Sequence, residues 1–260
     1  MNNGAPEEPV LRFTDISVRF GGIAALDKVS FAVTQGDIVG LIGPNGAGKT
    51  TLFNCLSRLY AFDGEISFEG RALREIPQHR IAAVGIGRTF QNLALFSTMT
   101  VRQNIMLGGH CRSDSGFFAS AIRLPMVPRE ERQALQKAGE LTEFLGLQAV
   151  AETNVMGLPF ALQKRVELAR ALASGPKLLL LDEPAGGLNH EEVETLIALL
   201  RDIRARFKLT ILLVEHHMKL VMRVSDKVVV LDFGRKIAEG TPDEVQRNQE
   251  VVRAYLGVDA

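Results

Sequence analysis

A chain of 260 residues, 46% of them hydrophobic, can bury a sizeable core and hold one large domain or two modest ones. Its 30 lysines and arginines equal its 30 aspartates and glutamates, so no excess positive charge points to nucleic acid or an anionic membrane surface. Two cysteines, Cys55 and Cys111, make neither a disulfide framework nor a metal-ligand spacing, and the apolar runs Leu178–Leu181 and Ile211–Val214 fall far short of the roughly 20 residues of a membrane span.

Taken from its start, the chain opens on a polar, acidic stretch, Met1–Pro9, that has neither a signal-peptide nor a transit-peptide pattern and reads as a frayed tail over residues 1–10. Leu11–Phe20 alternates apolar and polar residues, and Val29–Val33 does so again after Gly21-Gly22, which predicts an antiparallel strand pair. Phe20 closes the first of these strands. Two readings stand for it: a ring on which an adenine can stack, or plain core packing.

Asp37–Ile42 predicts a short buried strand, followed by Gly43-Pro44-Asn45-Gly46-Ala47-Gly48-Lys49-Thr50. This run fills the pattern G-x-x-x-x-G-K-[ST] completely, and the strand before it and the helix expected at Gly48-Lys49-Thr50 supply the context the pattern needs. Glycines at 43, 46 and 48 let the backbone turn its N–H groups inward, making a nest for phosphate oxygens. The helix N-terminus adds partial positive charge, Lys49 a full one, and the Thr50 hydroxyl can ligate magnesium. A further short strand, Glu65–Glu69, is opened by Asp63-Gly64 and closed by Gly70.

Gly85–Gln91 predicts a strand ending in Gln91, whose amide oxygen can reach a metal or a water. From Ser97 to Thr153 the pattern is helical; Arg129–Leu147 carries an apolar face of Leu135, Ala138, Leu141, Phe144 and Leu145, and the segment predicts a second, helical lobe. Within it Gly116–Met126 is apolar and punctuated by Gly and Pro, to be read as internal core or as an exposed docking surface. Lys177–Leu181 predicts a strand buried on both faces, which delivers Asp182 and Glu183 to its C-terminal edge, where ligands gather in parallel sheets. There Asp182 can hold magnesium through water and Glu183 can polarise an attacking water. Thr210–Val214 repeats the pattern and ends in Glu215, His216 and His217, with His216 able to touch a γ-phosphate. Val228–Leu231 is the last apolar strand, leading through Asp232-Phe233-Gly234 to Lys236–Gly240 and a helical tail.

Together these residues resemble an ATP-binding-cassette (ABC) transporter ATPase, over roughly Leu11 to Gly257. The resemblance implies an α/β P-loop core with an antiparallel β subdomain and an inserted helical subdomain at about 97–172, all within a single domain of residues 11–257. It assigns adenine stacking to Phe20, phosphate binding to Gly43 through Thr51, magnesium to Thr50, Gln91 and Asp182, and hydrolysis to Glu183, with His216 as switch histidine and Gln91 beside it. It places a dimer-contact loop at Gly187-Leu188-Asn189. Pro184–Asn189, the long segment between Gln91 and Leu158, and the ending Val251–Gly257 are similar to the branched-chain amino-acid importers. One motif departs: where the family has Leu-Ser-Gly-Gly-Gln or Leu-Ser-Tyr-Gly-Gln, this chain has Leu158-Pro159-Phe160-Ala161-Leu162, followed by Gln163. In the family that serine's hydroxyl and the following glycine's amide clasp the partner subunit's ATP. Pro159 offers neither hydroxyl nor N–H, although it suits the first turn of a helix, and Ala161, in place of the glycine, keeps its amide while its methyl limits how closely phosphate can approach.

The resemblance implies ATP and Mg²⁺ as cofactors and ATP hydrolysis as the reaction, with a role as the motor of an importer of branched-chain or other hydrophobic amino acids. Its implied partners are integral membrane permeases, a second ABC ATPase subunit, and indirectly a solute-binding protein; nucleic acid is not among them. The altered signature favours a heterodimer, and the implied place is the cytoplasmic face of the cell membrane, held there by the permeases. The alternatives are a soluble ABC ATPase outside transport and a regulatory subunit with weak hydrolysis.

Overall fold

The computed structural model describes residues 9–90, 93–109 and 127–256. They form two compact units, the first made of residues 9–81, 180–185 and 189–256, the second of residues 82–90, 93–109, 127–179 and 186–188.

In the first unit, β1 (Leu11–Phe20) pairs antiparallel with β2 (Ile23–Val33) and, on its other edge, with β4 (Asp63–Phe68), which continues to β5 (Arg71–Ala72). Leu11, Phe13, Ile16 and Val18 form the buried face of β1, and Phe13 stacks on Phe31 at 4.4 Å between ring centroids. β2 begins well before the predicted Val29. Its first half hides from a period-two reading because Lys28 is left-handed (φ 50°) and the β1–β2 register shifts after Phe13, Ile16 and Val18.

The second sheet of this unit is built on β3 (Ile38–Ile42), which pairs parallel with β8 (Thr210–Val214) on one side and β9 (Lys227–Asp232) on the other. β10 (Arg235–Gly240) returns antiparallel along β9, and β7 (Leu178–Asp182) lies outside β8, giving the order β10-β9-β3-β8-β7. Every residue of β3, β7 and β8 is buried, as their unbroken apolar runs require of strands covered on both faces. Burying each leucine of β7 contributes roughly 1.5–3 kcal/mol. At Gly40 the covering is flush: a Cβ there would lie 2.5 Å from Val221 Cγ1 and 2.8 Å from Ser225 Oγ, so α6 (Met218–Val224) rests directly on the backbone of β3.

Helices of the first unit follow their caps and apolar spacing. α1 (Lys49–Leu56) starts at the left-handed Gly48. α5 (His190–Phe207) starts in a reciprocal box between Asn189 and Glu192 and buries Val193, Leu196, Ile197, Leu200 and Ile203, one face at helical period. α7 (Pro242–Arg247) repeats the device with Thr241 and Glu244, and α8 (Gln249–Leu256) completes the tail.

In the second unit β6 (Ile86–Arg88) lies beside the start of β7, where Leu178 N–H donates to Gly85 O at 3.1 Å. Among the described residues of the predicted Gly85–Gln91, only these three are extended. α2 (Val101–Gly108), α3 (Val127–Phe144) and α4 (Phe160–Ala173) make the helical body. Gly108 lets α2 touch α4, since a Cβ there would sit 2.0 Å from Arg170 O. Ala138, Leu141 and Leu145 are buried as predicted, but Leu135 is 45% exposed. Gln91, Cys111 and the apolar stretch 116–126 lie outside the described residues. No described helix is long and apolar enough to cross a membrane.

Candidate active site

The phosphate loop joins β3 to α1, and its glycines serve distinct needs. Gly43 is required by close approach, because a Cβ would lie 2.1 Å from the carbonyl oxygen of Leu231. Gly46 and Gly48 are required by conformation, with φ of 83° and 100°. Ala47 O accepts from Gly234 N–H at 3.1 Å, so the β9–β10 turn braces the loop from below. Lys49 is 7% exposed, and its ammonium donates to Gly43 O at 2.7 Å and Pro44 O at 2.9 Å. Burial pulls the Lys49 pKa below its ordinary value, while the charges of Glu183 and Asp182 oppose that shift. Pro44 and Asn45 form the loop's shoulder; Thr50 is exposed at the first turn of α1 and Thr51 half-buried behind it.

β7 delivers its two acids as the sequence predicts, in contrasting settings. Asp182 is 2% exposed at the strand end. Glu183 follows in a left-handed conformation (φ 47°), uncommon for a residue with a side chain and characteristic of strained functional positions. Its N–H donates to Val214 O at 2.9 Å, tying it to the end of β8. His216 leaves that same strand end with its ring 59% exposed, and its Nδ1 lies 3.8 Å from Glu183 Oε1. His217 faces elsewhere, its Nδ1 accepting from Leu220 N–H at the start of α6. Lys49, Asp182, Glu183 and His216 are therefore gathered at one edge of one sheet.

Phe20 is 49% exposed, which sets aside core packing, and it meets Tyr60 edge-on at 5.2 Å between centroids. Tyr60 is invisible to motif reading because it lies in the irregular stretch after α1. Tyr255 on α8 is another such residue: its phenol takes a hydrogen bond from the Gly43 backbone, and burial pushes it up to about 12.

In the second unit, Pro159 is the N-cap of α4 (φ −53°, ψ 147°) rather than part of its first turn, and no side chain caps the helix. Its carbonyl accepts from Leu162 N–H and Gln163 N–H, while the Gln163 side chain turns back to Leu158 O at 2.9 Å. Phe160 lies against Gly187, where a Cβ would come within 2.8 Å of its ring. Ala161 follows on the same turn. Further along α4, Glu167 is 2% exposed and accepts from Phe90 N–H at 3.1 Å, one residue before Gln91. Burial raises its pKa, an effect that the amides of Phe90 and Ala94 and the charges of Lys164 and Arg170 partly offset.

Comparison with known sequences decides the family. The profile of the family described as ABC transporter matches residues 26–186, and that of the branched-chain amino acid ATP-binding cassette transporters matches residues 235–260. The chain belongs to the ABC transporter family. This ABC ATPase is 40% identical over 250 residues to the high-affinity branched-chain amino acid transport ATP-binding protein BraF of Pseudomonas aeruginosa, covering 96% of this chain and 98% of BraF. It is 41% identical over 251 residues to the corresponding protein LivG of Salmonella typhimurium, again covering 96% and 98%. Among solved structures it superposes on a nucleotide-free ATP-binding cassette of an ABC transporter with a TM-score of 0.82 at 31% identity, covering 96% of this chain and all (100%) of that one. An ADP-bound cassette gives the same TM-score, 0.82. As a member of the family the protein binds ATP and hydrolyses it to power transport, the motor component of an ABC importer.

The ABC ATPase thus carries Lys49, Asp182, Glu183 and His216 in the first unit and Leu158–Gln163 in the second. The hydroxyl of Thr50 and the carboxylate of Asp182 are hard oxygen donors, the kind magnesium takes, and Asp182 is buried at the loop's edge, so these residues fit that ion.

Proposed function

We propose that this ATPase drives uptake of branched-chain or similarly hydrophobic amino acids, paired with a second ABC ATPase on the cytoplasmic face of membrane-embedded permeases. The solute class rests on the match across 235–260 and on the matches that cover 98% of BraF and of LivG. Gly43–Thr51 would hold the phosphates and Phe20 the base. Thr50 and Asp182, with Gln91, would hold magnesium, which when bound supplies charge neutralisation between the β- and γ-phosphates.

The single observation that carries the catalytic reading is the convergence of Glu183 with Lys49, Asp182 and His216 at one sheet edge. Glu183 accepts the proton of the attacking water, and His216 steadies the γ-phosphate from the neighbouring strand end. A homodimer would place Pro159 opposite both ATP molecules. A partner with an intact signature would complete the site built on Glu183, which favours a heterodimer in which this chain carries most turnover. Glu183→Gln in the reconstituted transporter should keep ATP binding and lose most hydrolysis, whereas Lys49→Ala should lose binding itself. Near-normal turnover in Glu183→Gln would overturn the assignment. Equal losses from the two subunits' glutamate mutants would overturn the asymmetry.

A further inference from the structure

A carboxylate taken wholly out of water must be compensated by charges or by hydrogen bonds. Glu215, the residue after β8, has none of its surface exposed (0%) and is compensated by backbone amides. Its Oε1 accepts from Ala185 N–H at 2.7 Å; its Oε2 accepts from His216 N–H at 3.1 Å and His217 N–H at 3.2 Å. Ala185 stands two residues beyond Glu183, and His216 is the group whose ring lies 3.8 Å from Glu183. One carboxylate therefore ties the segment leaving the hydrolytic glutamate to the turn carrying the switch histidine. The return tie, Glu183 N–H to Val214 O at 2.9 Å, closes the ring of contacts around a glutamate held at φ 47°.

We infer that Glu215 is a positioning residue for hydrolysis: it sets the Glu183–His216 geometry through these amides without touching nucleotide. The inference rests on the reading of Glu183 as the general base. A carboxylate has two accepting oxygens, one for each arm; a glutamine has one accepting oxygen and an NH₂ group, so it can keep the Ala185 arm or the His216/His217 arm but not both. Releasing either arm lets the pair drift, and displacements near 1 Å in a reacting constellation reduce rates by about a hundredfold.

The test is a set of variants in the reconstituted ATPase pair, with thermal melting, binding of a fluorescent ATP analogue and steady-state kinetics on each. Glu215→Gln should melt within a few degrees of wild type, bind the analogue normally, and lose about 10- to 100-fold in kcat with KM nearly unchanged. Glu215→Asp, which keeps the charge and loses reach, should fall between the two and carries the same test if Glu215→Gln is unstable. His216→Ala and Glu215→Gln should be strongly non-additive when combined, because both act through one geometry. A kcat within twofold of wild type, parallel losses of kcat and nucleotide affinity, or additive effects would each refute the inference. If Glu183→Gln is inactive while Glu215→Gln is normal, only the positioning role fails; if Glu183→Gln turns over normally, the underlying assignment fails first.

Discussion

Replacing Pro159 by serine restores the hydroxyl missing from the signature, and its two consequences can be separated by size. On stability they nearly cancel. Pro159 sits at φ −53°, within proline's natural range, so removing it frees the unfolded chain and costs about 0.4–1 kcal/mol. A serine at this uncapped N-cap can accept from the first-turn amides of α4 and contributes about 0.5–2 kcal/mol. The melting temperature should move by less than about 4 °C. On catalysis nothing cancels: a hydrogen bond from the new hydroxyl to a charged γ-phosphate is worth about 1.5–3 kcal/mol, or roughly ten- to a hundredfold in rate. The affected site is the one built on the partner's phosphate loop. It is read alone in the reconstituted pair when this chain's own site is silenced by Glu183→Gln. Turnover of Pro159→Ser/Glu183→Gln should exceed that of Glu183→Gln by about tenfold or more, with an unchanged melting curve. An increase below twofold would show that the serine hydroxyl is not what this signature lacks.

Phe20→Ala should weaken nucleotide binding by about 1–3 kcal/mol, or roughly 5- to 150-fold in Kd, while leaving the melting temperature in place, since the ring is half-exposed; equal affinity by titration would remove it from the base site. Gly43→Ala should destabilise the fold by about 1–3 kcal/mol in denaturant titration, because the new methyl meets a backbone carbonyl that cannot swing away; a wild-type midpoint would contradict the close packing. Burial holds the Glu167 carboxyl above its ordinary pKa, so the folded state binds its proton more tightly than the unfolded chain. The stability it contributes is present at low pH and is lost as pH rises from about 4.5 through the folded value; melting against pH should therefore fall more steeply in the wild type than in Glu167→Gln across that window, and parallel curves would refute it.

The parts of this protein that local chemistry dictates were legible in its sequence. A complete G-x-x-x-x-G-K-[ST] run between a buried strand and a helix points to phosphate binding, and four consecutive leucines before Asp182-Glu183 fit a doubly covered strand with its acids at the edge. β3, β7, β8 and the phosphate loop stand where those patterns put them. Phe20 stood open between two readings, because a strand-end aromatic has the same spacing whether it is buried or exposed. What tertiary structure alone decided is everything that depends on residues distant in sequence meeting in space. The early start of β2 is masked by left-handed Lys28 and by register shifts, which break the periodicity that pattern reading needs. Glu215 reads as one more polar residue after a strand, and only the return of the chain past Ala185 turns it into a buried tie between the segments that carry Glu183 and His216. Glu167, Tyr60 and Tyr255 are likewise defined by partners 77, 40 and 212 positions away along the chain, at Phe90, Phe20 and Gly43, and hydrophobic period carries no information about contacts at such separations.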